Sequence, residues 1–582
     1  MIVSNYLEDN EDLQFVLKHC VDWERIIPLK EYDFRDAQEY QKTKDPRYEL
    51  APSSVAEALD AYFSALEQVG EIAGKELAPR AKSMEREGLR FHDGKVDFPK
   101  DMLHVIDLLA QSGVLMYSTH RQWGGLQFPY AAQMAILEMI SRADAAFGIA
   151  VGCFNLADVI ERFASQELKE KYLPKMHAAE MTGAMALTEP NYGSDLQNIK
   201  TRATKQADGR WVINGTKRFI THGCGIGDRP AAILTLARTG GEGGRGLSFF
   251  LVESSHVQVA RIEEKLGLHI SPTCEIIYEN TPAYLIGEEG KGLVKYAMDM
   301  MNGARLGIAV QALGIAEAAY REGEKYARER IQFGRPIYEI PPVRRSINEA
   351  EALVQAMRAL VYRTAEIVDT YDGLGQKYLL AGEDEKTVRR REDVQRYEKL
   401  SRLLTPTAKY FCSEMCNKVA YDMLQVFGGS GYTEEYDIAK IYRDARITTI
   451  YEGTSNMQVL AAIGPIVEGA RSGGLVYSYL EELKAKQEES LKESFTQAIE
   501  TLVRLVSLYK EKEKEAREAL SVELVNYFAF LICGLLLGEQ LSLCQRKASD
   551  YYPKKKAVVK SYLVLMHKNL AAAKAVLETY HG

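Results

Sequence analysis

The chain has 582 residues, of which 46% are hydrophobic and 26% charged, and its formal net charge is −8. A chain of this length exceeds one ordinary hydrophobic core, so we expect several packed units. The composition is that of a globular protein. The acidic net charge disfavours a general nucleic-acid surface, which requires a basic excess.

The cysteine pattern argues against disulfide and metal scaffolds. The chain has eight cysteines, too few for its length to form a disulfide framework. Cys412 and Cys416 form the one close pair, and a second pair at zinc-finger spacing is missing, so no metal site is expected. A reduced, cytoplasmic location fits this pattern best.

Neither a targeting segment nor a membrane span is expected. Residues 1–12 are polar and acid-rich, unlike a secretion signal or a transit peptide. The longest apolar run, Phe528 to Leu537, is shorter than the roughly 20 residues that cross a bilayer. We interpret it as part of a buried helix.

The N-terminal part of the chain is predicted to be helical after an extension of residues 1–52. Within residues 53–180, Val55, Leu59, Tyr62, Phe63 and Leu66 form an apolar stripe at helical spacing. Residues 181–291 then change to a strand pattern. Asp208-Gly209 lies between the strand candidates Thr201–Ala207 and Trp211–Ile213 and predicts a tight hairpin.

Further strand candidates follow that hairpin: Phe219–Thr221, Ala232–Ala237, Leu247–Val252, Val257–Ala260 and Glu275–Tyr278. Many short strands without intervening helices are typical of an antiparallel barrel or sandwich. Residues 292–471 return to a helical pattern, and residues 472–582 form an additional helical region. The predicted fold is therefore α+β and multidomain, with an N-terminal α-helical domain, a central antiparallel β-barrel, a C-terminal α-helical bundle and an extra C-terminal α-helical domain.

A glycine-rich segment at residues 241–246 matches the GxGxxG dinucleotide fingerprint. That fingerprint needs a strand before it and a helix after it, so that phosphate meets a helix N-terminus. Here strand candidates stand on both sides. We therefore interpret the segment as an inter-strand loop, and a nucleotide cofactor would have to bind by another architecture.

Glu452 stands just before a predicted helix. Ser455 and Gln458 have the spacing of a capping box, the apolar residues 459–463 follow, and Gly464-Pro465 is expected to end the helix. The neighbouring Gly453 would allow close approach of a ligand to the backbone. On spacing alone, a carboxylate stabilised by the helix dipole, worth about 0.3–1 kcal/mol, is the simpler interpretation.

Segments spread over most of the chain, however, resemble the acyl-CoA dehydrogenase family. They occur in the family's order across about residues 55 to 470, and the C-terminal helical region resembles the family's extended subgroup. The matching segments are Leu187–Asp195, Asn214–Thr221, Lys265–Glu275, Gly287–Gly292, Arg330–Gly334, Gln425–Tyr432 and Ile450–Gln458.

The resemblance implies an FAD site and a substrate site. The residues implied to bind FAD are Leu187, Thr188, Ser194, Phe219, Thr221, Arg330, Gln332, Phe333, Gln425, Gly428, Gly429, Thr454 and Asn456. Phe219 replaces a tryptophan that is common in relatives. Those implied to contact substrate are Ser194, Asn302, Arg305 and Gly453. Residues 330–333 and 425–429 would hold the adenine half across a subunit interface, which implies a homodimer or homotetramer.

The resemblance also implies a reaction and a base. Glu452 would remove the α-proton of an acyl-CoA thioester while the β-hydrogen leaves as hydride to flavin N5, giving the trans-2-enoyl-CoA, as in fatty acid metabolism. The thioester carbonyl would be polarised by the N–H of the base and a flavin ribityl hydroxyl. Some relatives place the base where this chain has Ala304, so Glu452 has no rival. Electrons would pass to an electron-transferring flavoprotein.

One departure and two alternatives accompany this interpretation. Relatives often carry a His-Gln pair where this chain has Pro341-Pro342-Val343, so no cofactor contact is assigned there. The same fold could run in reverse as an enoyl-CoA reductase. It could also serve as a nucleic-acid-binding flavoprotein, for which Lys554–Lys556 and Lys560 are a possible surface, although a lysine run is more often a solvated face. The acyl group cannot be deduced from this pattern.

Overall fold

The computed structural model describes residues 1–580, and its N-terminal third is mainly helical. Ser54 caps one helix by accepting a hydrogen bond from the N–H of Glu57, and the predicted stripe on that helix buries Tyr62 and Leu66. The elements are α1 (Glu11–Phe15), α2 (Trp23–Lys30), α3 (Arg35–Thr43), α4 (Val55–Glu71), α5 (Ala81–Glu87), β1 (Arg90–His92), β2 (Lys95–Asp97), α6 (Lys100–Gln111), α7 (Tyr130–Ala143), α8 (Ala145–Phe154), α9 (Ala157–Phe163) and α10 (Gln166–His177).

The strand region follows. The predicted hairpin is confirmed, because two strands pair antiparallel around Asp208-Gly209 and Gly209 adopts φ +87°. A strand of small residues, Thr182–Ala186, was not predicted. The strands are β3 (Thr182–Ala186), β4 (Arg202–Lys205), β5 (Trp211–Thr221), β6 (Ala231–Arg238), β7 (Leu247–Glu253), β8 (Gln258–Ile262) and β9 (Thr273–Ile286).

These strands form a sheet that closes on itself. The order is β3-β6-β4-β5-β9-β7, β8 pairs with β9, and an additional β6–β7 pairing completes the ring. The prediction of a barrel is therefore confirmed, and most neighbouring strands pair antiparallel as predicted. The exceptions are β3, which runs parallel to β6, and β4, which pairs parallel with β6 at Arg202 and Arg238. Strand β6 is buried along its whole length, and the apolar core includes Ile213, Ile233, Phe250 and Ile276. Strands β3 and β8 stand outside the ring, because β3 pairs only with β6 and β8 only with β9 among the described residues.

The glycine-rich segment 241–246 connects β6 to β7, which pair antiparallel. No long helix follows it, so the structure confirms an inter-strand loop rather than a dinucleotide fingerprint.

The rest of the described chain is helical apart from a short hairpin. The predicted stop at Gly464-Pro465 is wrong, because the helix continues through Pro465 to Gly469. The elements are α11 (Met298–Glu329), β10 (Ile331–Gln332), β11 (Arg335–Pro336), α12 (Pro341–Leu380), α13 (Glu385–Val388), α14 (Glu392–Phe427), α15 (Ile438–Ala445), α16 (Ser455–Gly469), α17 (Leu475–Ala485), α18 (Glu489–Glu511), α19 (Lys514–Lys547) and α20 (Tyr552–Thr579).

The chain divides into two compact units. Unit 1 contains residues 1–2, 7–33 and 305–582, and unit 2 contains residues 3–6 and 34–304. In unit 1, α12 packs on α14, α14 on α16, and α19 on α20. Among residues 1–580, α19 is the one helix long and apolar enough to cross a membrane, and 83% of its most apolar window is buried inside the protein. This burial confirms the prediction of a buried helix around Phe528–Leu537. It is typical of a helix in a protein core.

A buried ionic cluster in unit 1 joins α1, α11, α12 and α20. Arg358 donates to Asp12 at 2.7 Å and to Glu317 at 2.6 Å. Lys555 donates to the other oxygen of Asp12 at 2.7 Å, and Tyr551 donates to the same oxygen at 3.0 Å. Arg358 and Lys555 are each at most 1% exposed. Buried charges are tolerated when they are paired in this way.

The cluster changes the interpretation of the lysine run at 554–556. Its middle member, Lys555, is fully buried, and Lys554 pairs with Glu11 at 3.2 Å. The run is therefore not a continuous exposed cationic face, and the surface suggested for nucleic acid loses its central residue.

Candidate active site

Glu452 lies in a tight loop of unit 1 between a short 3-10 turn at Arg446–Thr449 and α16. Glu452 has φ +52° and Gly453 has φ +87°, so two consecutive residues are in the left-handed region. Left-handed backbone is unfavourable for a residue with a Cβ atom and is common at functional sites. The carboxylate is partly buried.

Gln458 holds this loop, in a different way from the predicted capping box. Its Nε2 atom donates to the carbonyl oxygens of Glu452 at 3.1 Å and Gly453 at 2.9 Å. The helix begins at Ser455, whose hydroxyl donates to Glu414 instead of capping the helix, and the N-cap position belongs to Thr454. The capping-box prediction is therefore wrong, although Gln458 does reach back to the loop. A Cβ atom on Gly453 would lie 2.7 Å from Gln458 Nε2, so this position requires glycine.

Positive charge surrounds the carboxylate. Burial raises the pKa of Glu452, while the nearby charges of Lys409 and Arg305 oppose that rise. Burial likewise lowers the pKa of Arg305, and attraction to Glu452 opposes the shift. A carboxylate with a raised pKa is a stronger base when ionised than an exposed one. The charges of Glu452 and Arg305, two of the predicted site residues, thus lie close enough to interact, whereas Lys409 was not among the predicted residues.

Two backbone groups of this loop are available to a ligand. Among the described residues, the N–H groups of Glu452 and Gly453 have no hydrogen-bond partner in the protein. The preceding residue, Tyr451, is fixed by donating its hydroxyl to Gln311 of α11. A carbonyl oxygen can therefore receive a backbone hydrogen bond next to the carboxylate.

In unit 2, the segment after β3 carries three of the predicted cofactor residues. Leu187 is buried, Thr188 is half-buried and Ser194 is exposed. Lys217 of β5 is fully buried and donates to the carbonyl oxygen of Leu187 at 2.8 Å and to Glu189 at 3.0 Å. The N–H of Arg218 donates to the carbonyl oxygen of Thr188 at 3.0 Å. The segment is therefore held rigidly against β5.

Phe219 is displaced from the regular strand. A register shift between Lys217 and Ile220 interrupts the pairing of β5 with β9, and Phe219 has φ +62° with 54% of its surface exposed. Thr221, two residues further, is half-buried. The bulge presents an aromatic ring outside the barrel core beside the Thr188 segment. An exposed aromatic ring of this kind suits stacking on a planar cofactor.

The predicted adenine-binding segments lie at neighbouring ends of two helices in unit 1. Arg330, Gln332 and Phe333 follow α11, and Gln425, Gly428 and Gly429 are at the end of α14. Tyr326 of α11 stacks on Phe427 of α14 with ring centroids 4.2 Å apart, which places the two segments side by side. All six predicted residues are exposed, and Phe333 is 90% exposed. Thr454 and Asn456 are also exposed, at the start of α16, and Asn302 is exposed in α11.

The described residues fit the cofactor that the sequence implies. The hydroxyl group of Thr188 has no hydrogen-bond partner within residues 1–580, so it is available to form a hydrogen bond with the edge of a flavin ring. Over the same residues, no group of three or more His, Cys, Asp or Glu side chains could hold a metal ion. Sequence reasoning missed Lys409, because a single lysine in a long helix carries no motif.

A helical region, a closed barrel and a second helical region in this chain order define a class of flavin-dependent dehydrogenases. Family models describe each part: the N-terminal domain of acyl-CoA dehydrogenases matches residues 64–180, the middle domain 184–281, and the C-terminal domain 290–380 and 385–463. The chain belongs to the acyl-CoA dehydrogenase family. It is accordingly an oxidoreductase, and FAD is its cofactor.

Individual relatives cover more of the chain. A 3-methylmercaptopropionyl-CoA dehydrogenase from Ruegeria pomeroyi is 32% identical over 82% of this chain and 79% of its own length. A 3-(aryl)acrylate reductase from Clostridium sporogenes is 34% identical over 67% of this chain and 93% of its own. The structure of an acyl-CoA dehydrogenase from Bacillus anthracis with FAD has a TM-score of 0.75 at 23% identity, covering 90% of this chain and 89% of that one. That structure shows that the fold extends beyond the family-matched regions.

Proposed function

We propose that this enzyme oxidises the α–β bond of an acyl-CoA thioester and that Glu452 removes the α-proton. The observation that supports this most is the partly buried carboxylate of Glu452, which has a raised pKa and stands beside two unengaged backbone N–H groups. The position that carries the base in some relatives is Ala304, which has no proton-accepting group.

The residues of the loop can account for the proton transfer. A thioester α-proton is a very weak acid, so the carbonyl oxygen must be stabilised as negative charge develops. The N–H of Glu452 would donate to that oxygen, while its carboxylate accepts the proton. Arg305 would help to keep the carboxylate ionised before the reaction. FAD, when bound, supplies the electron acceptor for the β-hydrogen.

The proposal assigns flavin binding to two sets of residues. The first set is Thr188, with Leu187, Phe219, Thr221 and Ser194. These residues would bind the flavin ring and the part of FAD next to it. The exposed segments 330–333 and 425–429, together with Thr454 and Asn456, would hold the adenine half in an assembly of two or four copies. The exposure of Phe333 supports this, because a large apolar side chain at 90% exposure suits coverage by another chain.

The acyl group and the electron acceptor belong to the same proposal. The name of the Ruegeria pomeroyi relative suggests a short, sulfur-bearing acyl chain as one candidate. We infer an electron-transferring flavoprotein as acceptor and a cytoplasmic location. All eight cysteines are free thiols, as in a reducing compartment.

A reductive direction is the second candidate, because a relative of 34% identity is named a 3-(aryl)acrylate reductase. In that direction the protonated Glu452 would return a proton to the α-carbon of an enoyl thioester. Mixing chemically reduced enzyme with cinnamoyl-CoA distinguishes the two directions. Rapid reoxidation of the flavin, together with no bleaching by 3-phenylpropionyl-CoA, would favour the reductase.

Anaerobic bleaching of the flavin tests the proposed function. Purified enzyme is mixed with butyryl-, isobutyryl-, octanoyl-, cyclohexanoyl-, 3-phenylpropionyl- and 3-methylmercaptopropionyl-CoA, and loss of visible flavin absorbance is followed. We expect at least one thioester to bleach the flavin. Glu452→Gln should retain FAD and bleach at least about a hundredfold more slowly. Glu468→Gln, at an exposed position of α16, the helix that follows the Glu452 loop, is the matched control. Normal bleaching by Glu452→Gln would reject the assignment of the base.

A further inference from the structure

A buried lysine contacts the Glu452 loop from a different helix. Lys409 in α14 is 0% exposed, and its ammonium donates to the carbonyl oxygen of Gly453 at 2.8 Å. Within residues 1–580 this is its one hydrogen bond, and no carboxylate lies within 4.0 Å of it. A buried charge without close pairing is unfavourable. The buried ammonium group of Lys409 therefore needs another interaction to offset the free-energy cost of its burial.

The carbonyl that Lys409 holds belongs to the left-handed turn. Gln458 also bonds to this carbonyl, but Gln458 is part of the helix that the loop begins. Among the described residues, Lys409 is the one side chain that bonds a carbonyl oxygen of residues 452–453 from outside the loop and α16. It thus ties the unfavourable backbone conformation of Glu452 to the long helix α14.

The charges around the loop are also coupled through Lys409. Glu452 faces Lys409 from α14 and Arg305 from α11, and Tyr451 precedes it in the chain. Lys409 in turn faces Glu452, Glu414 and Arg305. Burial lowers the pKa of Lys409 to about 8, while its attraction to the two carboxylates opposes that shift. Near neutral pH, Lys409 is thus largely a cation beside the Glu452 carboxylate.

We propose that Lys409 is a positioning residue for the base: it holds the Gly453 carbonyl so that Glu452 keeps its left-handed turn, and its charge favours the ionised carboxylate. This inference rests on the proposed function, in which Glu452 accepts the α-proton. Lys409 itself touches neither substrate nor cofactor in this proposal. A purely structural role would change stability or FAD content without moving the pH dependence of turnover.

Two substitutions separate the hydrogen bond from the charge. Lys409→Met removes both, whereas Lys409→Gln keeps an N–H donor and removes the charge. Lys418→Met is the control, because Lys418 is an exposed residue of the same helix that pairs with Asp422. FAD content, kcat and KM are measured across pH with ferricenium ion as acceptor and with the panel thioester that bleaches the wild-type flavin fastest.

We expect Lys409→Met to retain FAD and a KM within about twofold, and to lose at least about tenfold in kcat at neutral pH. Loss of the positive charge raises the pKa of Glu452, so the rising limb of kcat should move about one pH unit upward. Lys409→Gln should show the same shift in the rising limb, but its kcat at high pH should be greater than that of Lys409→Met, because it keeps the N–H donor. Lys418→Met should match the wild type. A wild-type pH profile and kcat in Lys409→Met, or loss of FAD in both Lys409 variants, would overturn the proposal.

A measurement without substrate complements the kinetics. Since Lys409 has a lowered pKa in the folded protein, the unfolded chain holds more protons between about pH 8 and 10.5, and this residue makes stability rise with pH there. Lys409→Met should reduce that rise in melting temperature, and an unchanged slope would contradict the proposal. Glu452→Gln in the same assays separates the two hypotheses. If it turns over normally, the base assignment fails; if it is inactive while Lys409→Met is normal, only the role of Lys409 fails.

Discussion

The ammonium group of Lys217 and the carboxylate of Glu189 form an ion pair of 3.0 Å, and the same ammonium donates to the carbonyl oxygen of Leu187 at 2.8 Å. Glu189 also accepts the N–H groups of Lys200 at 2.6 Å and Thr201 at 2.9 Å. Both neighbours of Thr188 are thereby fixed. The geometry of this segment depends on one buried cation.

Replacing that cation should therefore release the flavin. Lys217→Met leaves Glu189 buried without its partner, which typically costs about 3–5 kcal/mol. We expect a lower melting temperature and a purified protein with much less than one FAD per chain. Lys205→Met, at an exposed position on β4, should leave both properties unchanged. Full FAD occupancy in Lys217→Met would show that the Thr188 segment does not need this anchor.

Gly453→Ala tests the turn at the proposed base. Alanine at this position would have to adopt the left-handed conformation, which costs about 1–2 kcal/mol. Its Cβ atom would also lie 2.7 Å from Gln458 Nε2 and would push that side chain away. We expect kcat to fall at least about tenfold with FAD retained. Gly464→Ala in α16 is the control, since its Cβ would meet nothing within 4 Å and alanine favours a helix. Equal kcat in the two variants would argue that the turn conformation is not required.

Neighbouring lysines should differ sharply in their effect on stability. Lys555→Met leaves Asp12 with one fewer buried cation, and we expect a loss of about 3–5 kcal/mol in unfolding free energy. Lys554→Met removes a surface pair with Glu11 and should cost at most about 1 kcal/mol. Thermal and urea unfolding of the two variants measure this difference. Similar stabilities would mean that the buried cluster contributes little.

Acid stability should depend on His222. This side chain is fully buried, stacks on Phe98 at 6.1 Å, and lies near Ser271 and the charge of Lys265. Burial lowers its pKa from 6.5 to about 3, so between these values the unfolded chain binds a proton that the folded protein does not. Stability attributable to His222 therefore falls as pH drops through this window, by at most about 1.4 kcal/mol per pH unit.

Substitution of His222 isolates this contribution. His222→Phe should flatten the acid side of a plot of melting temperature against pH, whereas His104→Phe, at an exposed position, should not. Identical acid slopes in His222→Phe and the wild type would contradict the assignment.

Local sequence signals predicted much of the barrel but not its pairing. Asp208-Gly209 specified a hairpin because its backbone preference is local. Strand β3 was missed because its residues are small: a Cβ atom on Gly183 would lie 2.6 Å from the carbonyl oxygen of Cys153, so close packing against α8 selects glycine there. The parallel pairing of β3 with β6 joins distant segments, and no local pattern records it.

The site was predicted where a motif marks it and missed where tertiary structure alone creates it. Glu452 was named from a segment with a recognisable pattern and Arg305 from its match to a substrate-contacting position in the resembled family, and their charges interact in the structure. Lys409 lies 43 positions before Glu452 in the sequence, and only the packing of α14 on α16 brings it to the loop. Pro465 was taken as a helix end, yet packing of Ile466 at 0% exposure keeps the helix intact beyond it.

The cluster around Asp12 makes the stability of the two ends of the chain interdependent. Asp12 lies before the family-matched region that begins at residue 64, and Lys555 lies after that region ends at residue 463. A shortened protein that kept Lys555 but lacked α1 would bury the Lys555 ammonium group without its carboxylate partner. A protein that kept α1 but lacked α20 would leave Asp12 with Arg358 as its one cationic partner in the cluster. Neither appendage is a free-standing addition, so any engineered or natural trimming of this enzyme should remove or retain both together.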